Sequence, residues 1–252
     1  MNTQSDLDIT TQFDRAFNSG TAAATQRPLQ GSKLVIFGTS NILSDLFDAA
    51  LAIGLVPSTI VIHLPESVGP RDRPLNDRLR PLTSFGCSVR VTVLDEFEPG
   101  VNECYVLGPT TPTRRVLAEI VERRFGIHFN NLIHPTAYVS PLATIGRGVF
   151  VGAKSVVAPG VTLEDHVFIN RMASIGHDTR VGQFSRIQPG ANVCSLTRIG
   201  MRTTIGAGAT IIERLIIGDD VVVAAGAVVT KDVPTAVMVA GVPATIRRTL
   251  SP

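Results

Sequence analysis

No apolar run in the 252 residues approaches the ~18 needed to cross a bilayer, and no basic start followed by an apolar core opens the chain. Neither membrane insertion nor a secretion signal is therefore expected. Cysteine is scarce: Cys87, Cys104 and Cys194 are scattered, odd in number and without a CxxC. That excludes a disulfide frame and suits reduced thiols in a cytoplasmic protein. Charge is sparse as well. Only 17% of residues are charged and the formal net charge is +2, too little to imply nucleic acid or an anionic membrane as partner. A hydrophobic content of 44% argues against wholesale disorder, and the length allows one or two domains.

What the chain does have is a period. From Ile133 to Val229 an aliphatic residue stands at every sixth position, through Ile145, Val157, Ile169, Val181, Ile187, Ile205 and Ile217 among others, and the series stops at Thr235. Neither helix spacing nor strand alternation yields a strict six. Glycine often follows the aliphatic (Gly146, Gly152, Gly176, Gly182, Gly200, Gly206, Gly218), and the residue two before it is small or β-branched (Ala173, Thr179, Ser185, Ala191, Thr197, Thr203). This is a hexapeptide repeat, the sign of a parallel β-helix. Three hexads make one triangular coil, so residues eighteen apart stack on the same corner. The Pro-rich stretch after Val229 is expected to end the coils, with a short basic tail closing the chain.

The part before the repeat is different. Residues 1–30 are polar and lack a period, which reads as a flexible N-terminal extension with at most one short helix around Asp14 to Phe17. From Lys33 apolar strands alternate with helices. Strands are expected at 33–38, 59–63, 88–94 and 103–107, and helices over 41–53, closed by Gly54, and 114–125, with threonine caps. That pattern means a small parallel α/β domain, about residues 31–130, followed by the β-helix over 131–231 and a C-terminal extension over 232–252. Ligands of such sheets bind at the carboxyl edge, which points to Gly38, Ser40 and Gly108. The loop Gly38-Thr-Ser-Asn-Ile-Leu-Ser44 is not G-x-G-x-x-G, so a nicotinamide dehydrogenase is set aside; a helix cap by Ser40 or Asn41 in a plain βα turn is the favoured reading of its polar residues. The arginines of Arg71–Arg80 suit phosphate, while the aspartates between them suit a self-paired surface loop; both readings stand.

Five segments carry a family resemblance: Leu132-Ile-His-Pro-Thr-Ala137, Phe168-Ile-Asn170, Ile175-Gly-His-Asp178, Val229-Thr-Lys-Asp-Val-Pro234 and Gly241-Val-Pro-Ala244. Through them the chain resembles the hexapeptide-repeat, left-handed β-helix acetyltransferases. It is most similar to bacterial nucleotide-sugar N-acetyltransferases with a small Rossmann-like domain in front, the type acting on UDP-4-amino sugars or GDP-perosamine. The left hand comes from the resemblance alone, since the general crossover rule favours the right.

The resemblance implies acetyl transfer from acetyl-CoA to a sugar amine, with no metal, in a homotrimer whose sites lie between adjacent β-helices. His177 matches the general base and Asp178 the acid that supports it. Asn170 matches a position touching the sugar. Ala207 and Ala225, one coil apart, match positions where backbone meets the coenzyme, and Arg186 stands where many relatives carry a histidine near the acetyl group. Lys231, Arg247 and Arg248 are candidates for the coenzyme phosphates. The chemistry stands independently: an amine attacking a thioester must lose a proton, and histidine suits that task. The bland reading of His177 is an exposed corner residue. His134 is expected to be a junction residue between domains and His166 to lie on an outer face. A zinc-dependent carbonic anhydrase needs three histidine ligands, which the coils do not supply. Two departures bear on the acceptor: the family's first loop, Gly-x-Gly-Gly-His-Gly, has Asn41, Ile42 and Leu43 at its last three places here, and the acidic pair after the second strand is replaced by His63-Leu-Pro-Glu66. The alternatives are acyl transfer to another amine or hydroxyl, and a non-catalytic trimeric scaffold or sensor.

Overall fold

A computed structural model describes residues 32–64, 69 and 72–250. The N-terminal extension, Glu66 and Arg71 lie outside the described residues.

The first domain forms where short apolar runs alternate with amphipathic ones. Strands β1 (Lys33–Phe37), β2 (Val56–Ile62), β3 (Arg90–Val93) and β4 (Glu103–Leu107) make a parallel sheet in the order β3-β2-β1-β4. In β1 the four residues after Lys33 are fully buried, as expected of a central parallel strand covered on both faces. Helix α1 (Leu43–Ala52) packs on the sheet through Leu43, Leu46, Phe47 and Ala50, and Gly54 follows its end with φ +76°. A short α2 (Leu75–Leu79) precedes β3, and α3 (Arg114–Phe125) follows β4, ending at Gly126 with φ +63°. The expected threonine caps are corrected: no side chain caps α3, and the Arg114 guanidinium instead donates to the carbonyls of Thr110 and Thr111 at 2.7 and 3.1 Å.

Beyond Asn131 the chain becomes seventeen two-residue strands, β5 (Leu132–Ile133) to β21 (Val228–Val229), each six residues from the next. They distribute in turn over three faces, and each as far as the strand at Thr210–Ile211 pairs in parallel with the strand eighteen residues on. The second residue of each strand points inward; Val157, Ile169, Ile175, Ile187 and Ile205 are 0% exposed and form a single shaft. Each such burial contributes ~1.5–3 kcal/mol. The second inward position carries small or hydroxylated residues, and the buried hydroxyls are satisfied across the coil. Ser155, Ser185 and Thr203 donate to the carbonyls of Asn170, Gly200 and Gly218, fifteen residues on, at 2.8, 2.6 and 2.8 Å.

The stack does not stop at the Pro-rich break. Strand β22 (Val237–Gly241) pairs with the first-face strand at Val222–Val223, and β23 (Ala244–Thr249) returns antiparallel beside it. Arg247 and Arg248 therefore sit on an edge strand rather than in a free tail. Val237 and Val239 explain the extra rung, since they are buried and continue the shaft after the six-residue step has been broken.

The α/β domain straddles the first coils of the first face. Outward-pointing Leu132, Phe150 and Phe168, eighteen apart, join the core beneath α1, with the two phenylalanine rings stacked at 4.7 Å. Asp45 and Asp48 of α1 meet Arg171 at 3.0 Å and His134 at 3.3 Å, so His134 is indeed a junction residue. On the other side α3 covers a corner formed by Gly148, His166 and Phe184. The expectation that His166 faces outward is corrected: it is 5% exposed, stacked on Phe184 at 4.6 Å and edge-on to Phe129.

Candidate active site

The site residues fall into separate groups. At the carboxyl edge of the α/β sheet, Gly38, Ser40 and Gly108 come together, where β1 and β4 diverge from the switch in strand order. Ser40 Oγ donates to the Gly108 carbonyl at 2.6 Å, and the Gly108 α-carbon lies against the Gly38 carbonyl so closely that any Cβ would collide with it. Ser40 is thus turned to the neighbouring strand end, with only a long 3.4 Å contact from the Ile42 amide. His63 flanks Gly38 on the far side, and burial lowers its pKa from the ordinary value. His63 is not among the expected site residues, although its position at the end of the second strand was an available signal.

The arginine-rich segment is spent internally. Arg78 donates to the Asn41 carbonyl at 2.9 Å and to Asn41 Oδ1 at 2.5 Å, Asn41 Nδ2 donates to Asp72 at 2.8 Å, and Arg80 pairs with Asp77 at 2.8 Å. The self-paired reading holds for these described residues.

On the first face of the β-helix, Arg186 stands next to Phe168 in the ladder, one coil on. Its Nε donates to Thr204 Oγ1 at 3.0 Å, and burial lowers its pKa. Arg114 reaches the same neighbourhood from α3. Its guanidinium donates to the carbonyls of His166 and, at 3.4 Å, Ser185, and burial, followed by the charge of Arg186, pushes its pKa down to about 9. Asn170 ends a first-face strand, 5% exposed, with Oδ1 accepting the Arg171 amide at 2.8 Å and Nδ2 donating to Gln188 at 3.3 Å.

Ala207 and Ala225 occupy the corner between the first and second faces, both exposed. The glycines after them, Gly208 and Gly226, have φ of +63° and +67° with nothing within 4 Å of an added Cβ. This leaves a strip of bare backbone open to a ligand.

His177 and Asp178 lie on the opposite corner, between the second and third faces. The strand Ser174–Ile175 ends at Gly176, where the would-be side-chain position is filled by Ser195 of the next coil. The chain then turns through Asp178 with φ +57°. His177 Nδ1 lies 2.8 Å from Asp178 Oδ2. With the carboxylate as acceptor, Nδ1 carries the proton, and in the neutral imidazole Nε2 is then the acceptor. Both side chains are more than half exposed, at 56% and 59%. Lys231 belongs to the same column of corners, three coils away, also exposed.

One chain therefore does not assemble one site. His177 sits on the corner facing away from the first face, which carries Asn170, Arg186 and the α/β domain. The cavity between the domains, bordered by Leu107, Pro109, Arg114, His166 and Phe168, measures about 20 Å³, room for about one water. Among the described residues there is no group of three or more His, Cys, Asp or Glu placed to hold a metal, and no helix is long and apolar enough to cross a membrane.

Stacked hexads with an exposed histidine–carboxylate corner define a β-helical acyltransferase. The family model for bacterial transferase hexapeptide (six repeats) matches residues 196–231, and that for the hexapeptide repeat of succinyl-transferase matches residues 143–170. The acetyltransferase domain of PglB from Neisseria gonorrhoeae FA1090 is 30% identical with a TM-score of 0.72, covering 86% of this chain and 100% of that one. The same domain in complex with acetyl coenzyme A is 31% identical, with a TM-score of 0.71 over 86% and 99%. PerB from Caulobacter crescentus, in complex with CoA and GDP-perosamine, is 27% identical with a TM-score of 0.68 over 90% and 100%. The chain belongs to the hexapeptide-repeat sugar N-acetyltransferases. Its fold is the small α/β domain followed by a left-handed parallel β-helix, and it is an enzyme, which removes the scaffold reading.

Proposed function

We propose that this protein transfers the acetyl group of acetyl-CoA to the amine of a nucleotide-linked amino sugar, as a cytoplasmic homotrimer serving surface-glycan biosynthesis. The observation that carries the reading is the His177 Nδ1–Asp178 Oδ2 contact of 2.8 Å on an exposed corner. His177 Nε2 takes the proton as the sugar nitrogen bonds to the acetyl carbon and the carbon–sulfur bond breaks, then returns it to the departing thiolate. Asp178 holds the tautomer and stabilises the imidazolium. Backbone amides along Ala207 and Ala225 steady the coenzyme and its thioester oxygen, in the strip left open by Gly208 and Gly226. Gly38, Ser40 and Gly108 receive the nucleotide end, and Arg186 and Lys231 supply positive charge.

The trimer is supported by the separation of these groups within one chain and by the second face. That face exposes Tyr138 and Val156, flanked by Leu142, Met172 and Leu196, an apolar strip suited to a second copy. The test is His177→Ala: a variant that assembles as wild type and loses acetyl transfer by ~10²-fold or more supports the base, and one that keeps wild-type turnover refutes it.

A second reading concerns the acceptor alone. Asn41 is bound to Asp72 and Arg78, so this loop does not present its polar group to a sugar. Acyl transfer to an amine or hydroxyl outside a nucleotide sugar follows if UDP-, GDP- and dTDP-linked amino sugars all fail to raise the melting temperature.

A further inference from the structure

We infer that Gly160 is a positioning residue for the acetyl transfer, acting through Asp178. The inference rests on the reading of His177 as base. Gly160 sits on the same corner as Asp178, one coil earlier, with φ +71°. A Cβ built on it would fall well under 3.0 Å from Asp178 Oδ1, 3.2 Å from Asp178 Cγ and 3.4 Å from its amide nitrogen, and its three nearest atoms all belong to Asp178. The carboxylate thus lies back over the bare α-carbon of Gly160 while its other oxygen accepts from His177 Nδ1 at 2.8 Å.

Backbone conformation alone does not call for glycine here. Asp178, Leu196 and Arg214, at the same place in the next three coils, adopt φ of +57°, +61° and +64° with full side chains. Corner glycines elsewhere, Gly190, Gly208 and Gly226, have nothing within 4 Å of an added Cβ. Gly148 is the parallel case, its position being filled by the His166 ring. Space, then, is what glycine supplies at 160. A carboxylate is rigid and planar, so displacing Oδ1 swings Oδ2 away from the imidazole.

The experiment is Gly160→Ala, alone and combined with Asp178→Ala, with Gly190→Ala setting the melting cost of the same φ without the contact. Turnover is measured with acetyl-CoA and the accepted amino sugar, and the His177 tautomer is read from its imidazole ¹⁵N shifts. Expected for Gly160→Ala is a turnover about tenfold lower with little change in KM for the acceptor, part of the ~10²–10⁴ that a positioned base contributes. The Nδ1–H signature is lost as it is in Asp178→Ala, and the alanine at 160 has no further effect once Asp178 is gone. Wild-type turnover and tautomer in Gly160→Ala overturn the inference, as does an equal loss in the Asp178→Ala background. If His177→Ala keeps full activity the base reading fails, while the tautomer readout still decides whether Gly160 places the carboxylate. If Gly160→Ala does not fold, Asp178→Glu takes its place: its longer side chain no longer fits over Gly160, and retention of the Nδ1–H signature and full turnover would count against the inference.

Discussion

Replacing His166 with phenylalanine tests how the two domains are joined. The ring is buried, stacked on Phe184 and edge-on to Phe129, and its Nδ1 has no hydrogen-bond partner. Glu122 on α3 faces Nε2 at 4.0 Å with Oε1 likewise buried and unpaired. Burial lowers the His166 pKa from 6.5 to about 4; Asp165 pulls the other way, and Arg114 and Arg147 reinforce the shift. The unfolded chain then binds a proton that the folded chain refuses. Stability from this group is complete above pH 6.5, falls as pH drops through that value, and levels out near pH 4. At 1.36 kcal/mol per unit the full loss is of order 3 kcal/mol, and about 2 kcal/mol is lost by pH ~5. His166→Phe keeps the stacking, removes the unpaired nitrogen and cannot titrate. Urea unfolding of both proteins should show the variant at least as stable near pH 7, and the gap widening by about 2 kcal/mol at pH ~5. Other carboxylates titrate in that range, so the difference between the two curves is the quantity that counts. Parallel curves refute a neutral imidazole locked under α3.

Ile187 is fully buried between Ile169 and Ile205 of the adjacent coils, so Ile187→Asp loses ~1.5–3 kcal/mol of burial and adds an unpaired carboxylate costing several more. It should fail to fold or melt far below wild type, whereas Ile187→Val should cost only ~0.5–1.5 kcal/mol; a melt within a few degrees of wild type for the aspartate contradicts the closed shaft. Gly108→Ala drives a methyl into the Gly38 carbonyl, which should cost ~1–3 kcal/mol of stability and raise KM for the acceptor more than it lowers turnover. Steady-state kinetics with unchanged KM would remove the carboxyl edge from acceptor binding.

The β-helix was legible because its cause is local and repeated. Each aliphatic residue in the series contributes the same burial, so one period read along the chain specifies the whole shaft. The strands around Leu34–Phe37 and Cys104–Val106 were legible for the same reason, being short apolar runs with no competing pattern. The corner of His166 was not, because its burial is imposed by α3 and nothing within its own hexad records that. Two signals were present: Phe184, an aromatic at a corner eighteen residues from His166, and the outward series Leu132, Phe150, Phe168. Large apolar residues at outward positions of successive coils mark a face that something covers. Arg114 eluded the reading similarly; a cation at a helix start is locally unfavourable and makes sense only against the carbonyls of the coil beside it.

The six-residue period constrains the inward positions and leaves the corners nearly free, and this division explains how chemistry is placed on the fold. The corner column running through Pro159, His177, Ser195 and Glu213 has the same turn at every level, with positive φ at the residue that follows each. Only at His177 does an imidazole have a carboxylate beside it, and that carboxylate is accommodated because the residue one coil earlier is glycine. Three residues across two coils are therefore needed together, although the repeat demands none of them. On the proposed mechanism, a substitution at any of the three should spare the shaft, which none of them lines, and lower acetyl transfer. A substitution in the shaft, by contrast, removes the corner with the coil that carries it. The proposed mechanism therefore expects stability and catalysis to separate by residue position, and the comparison of Ile187→Asp with Gly160→Ala measures that separation directly.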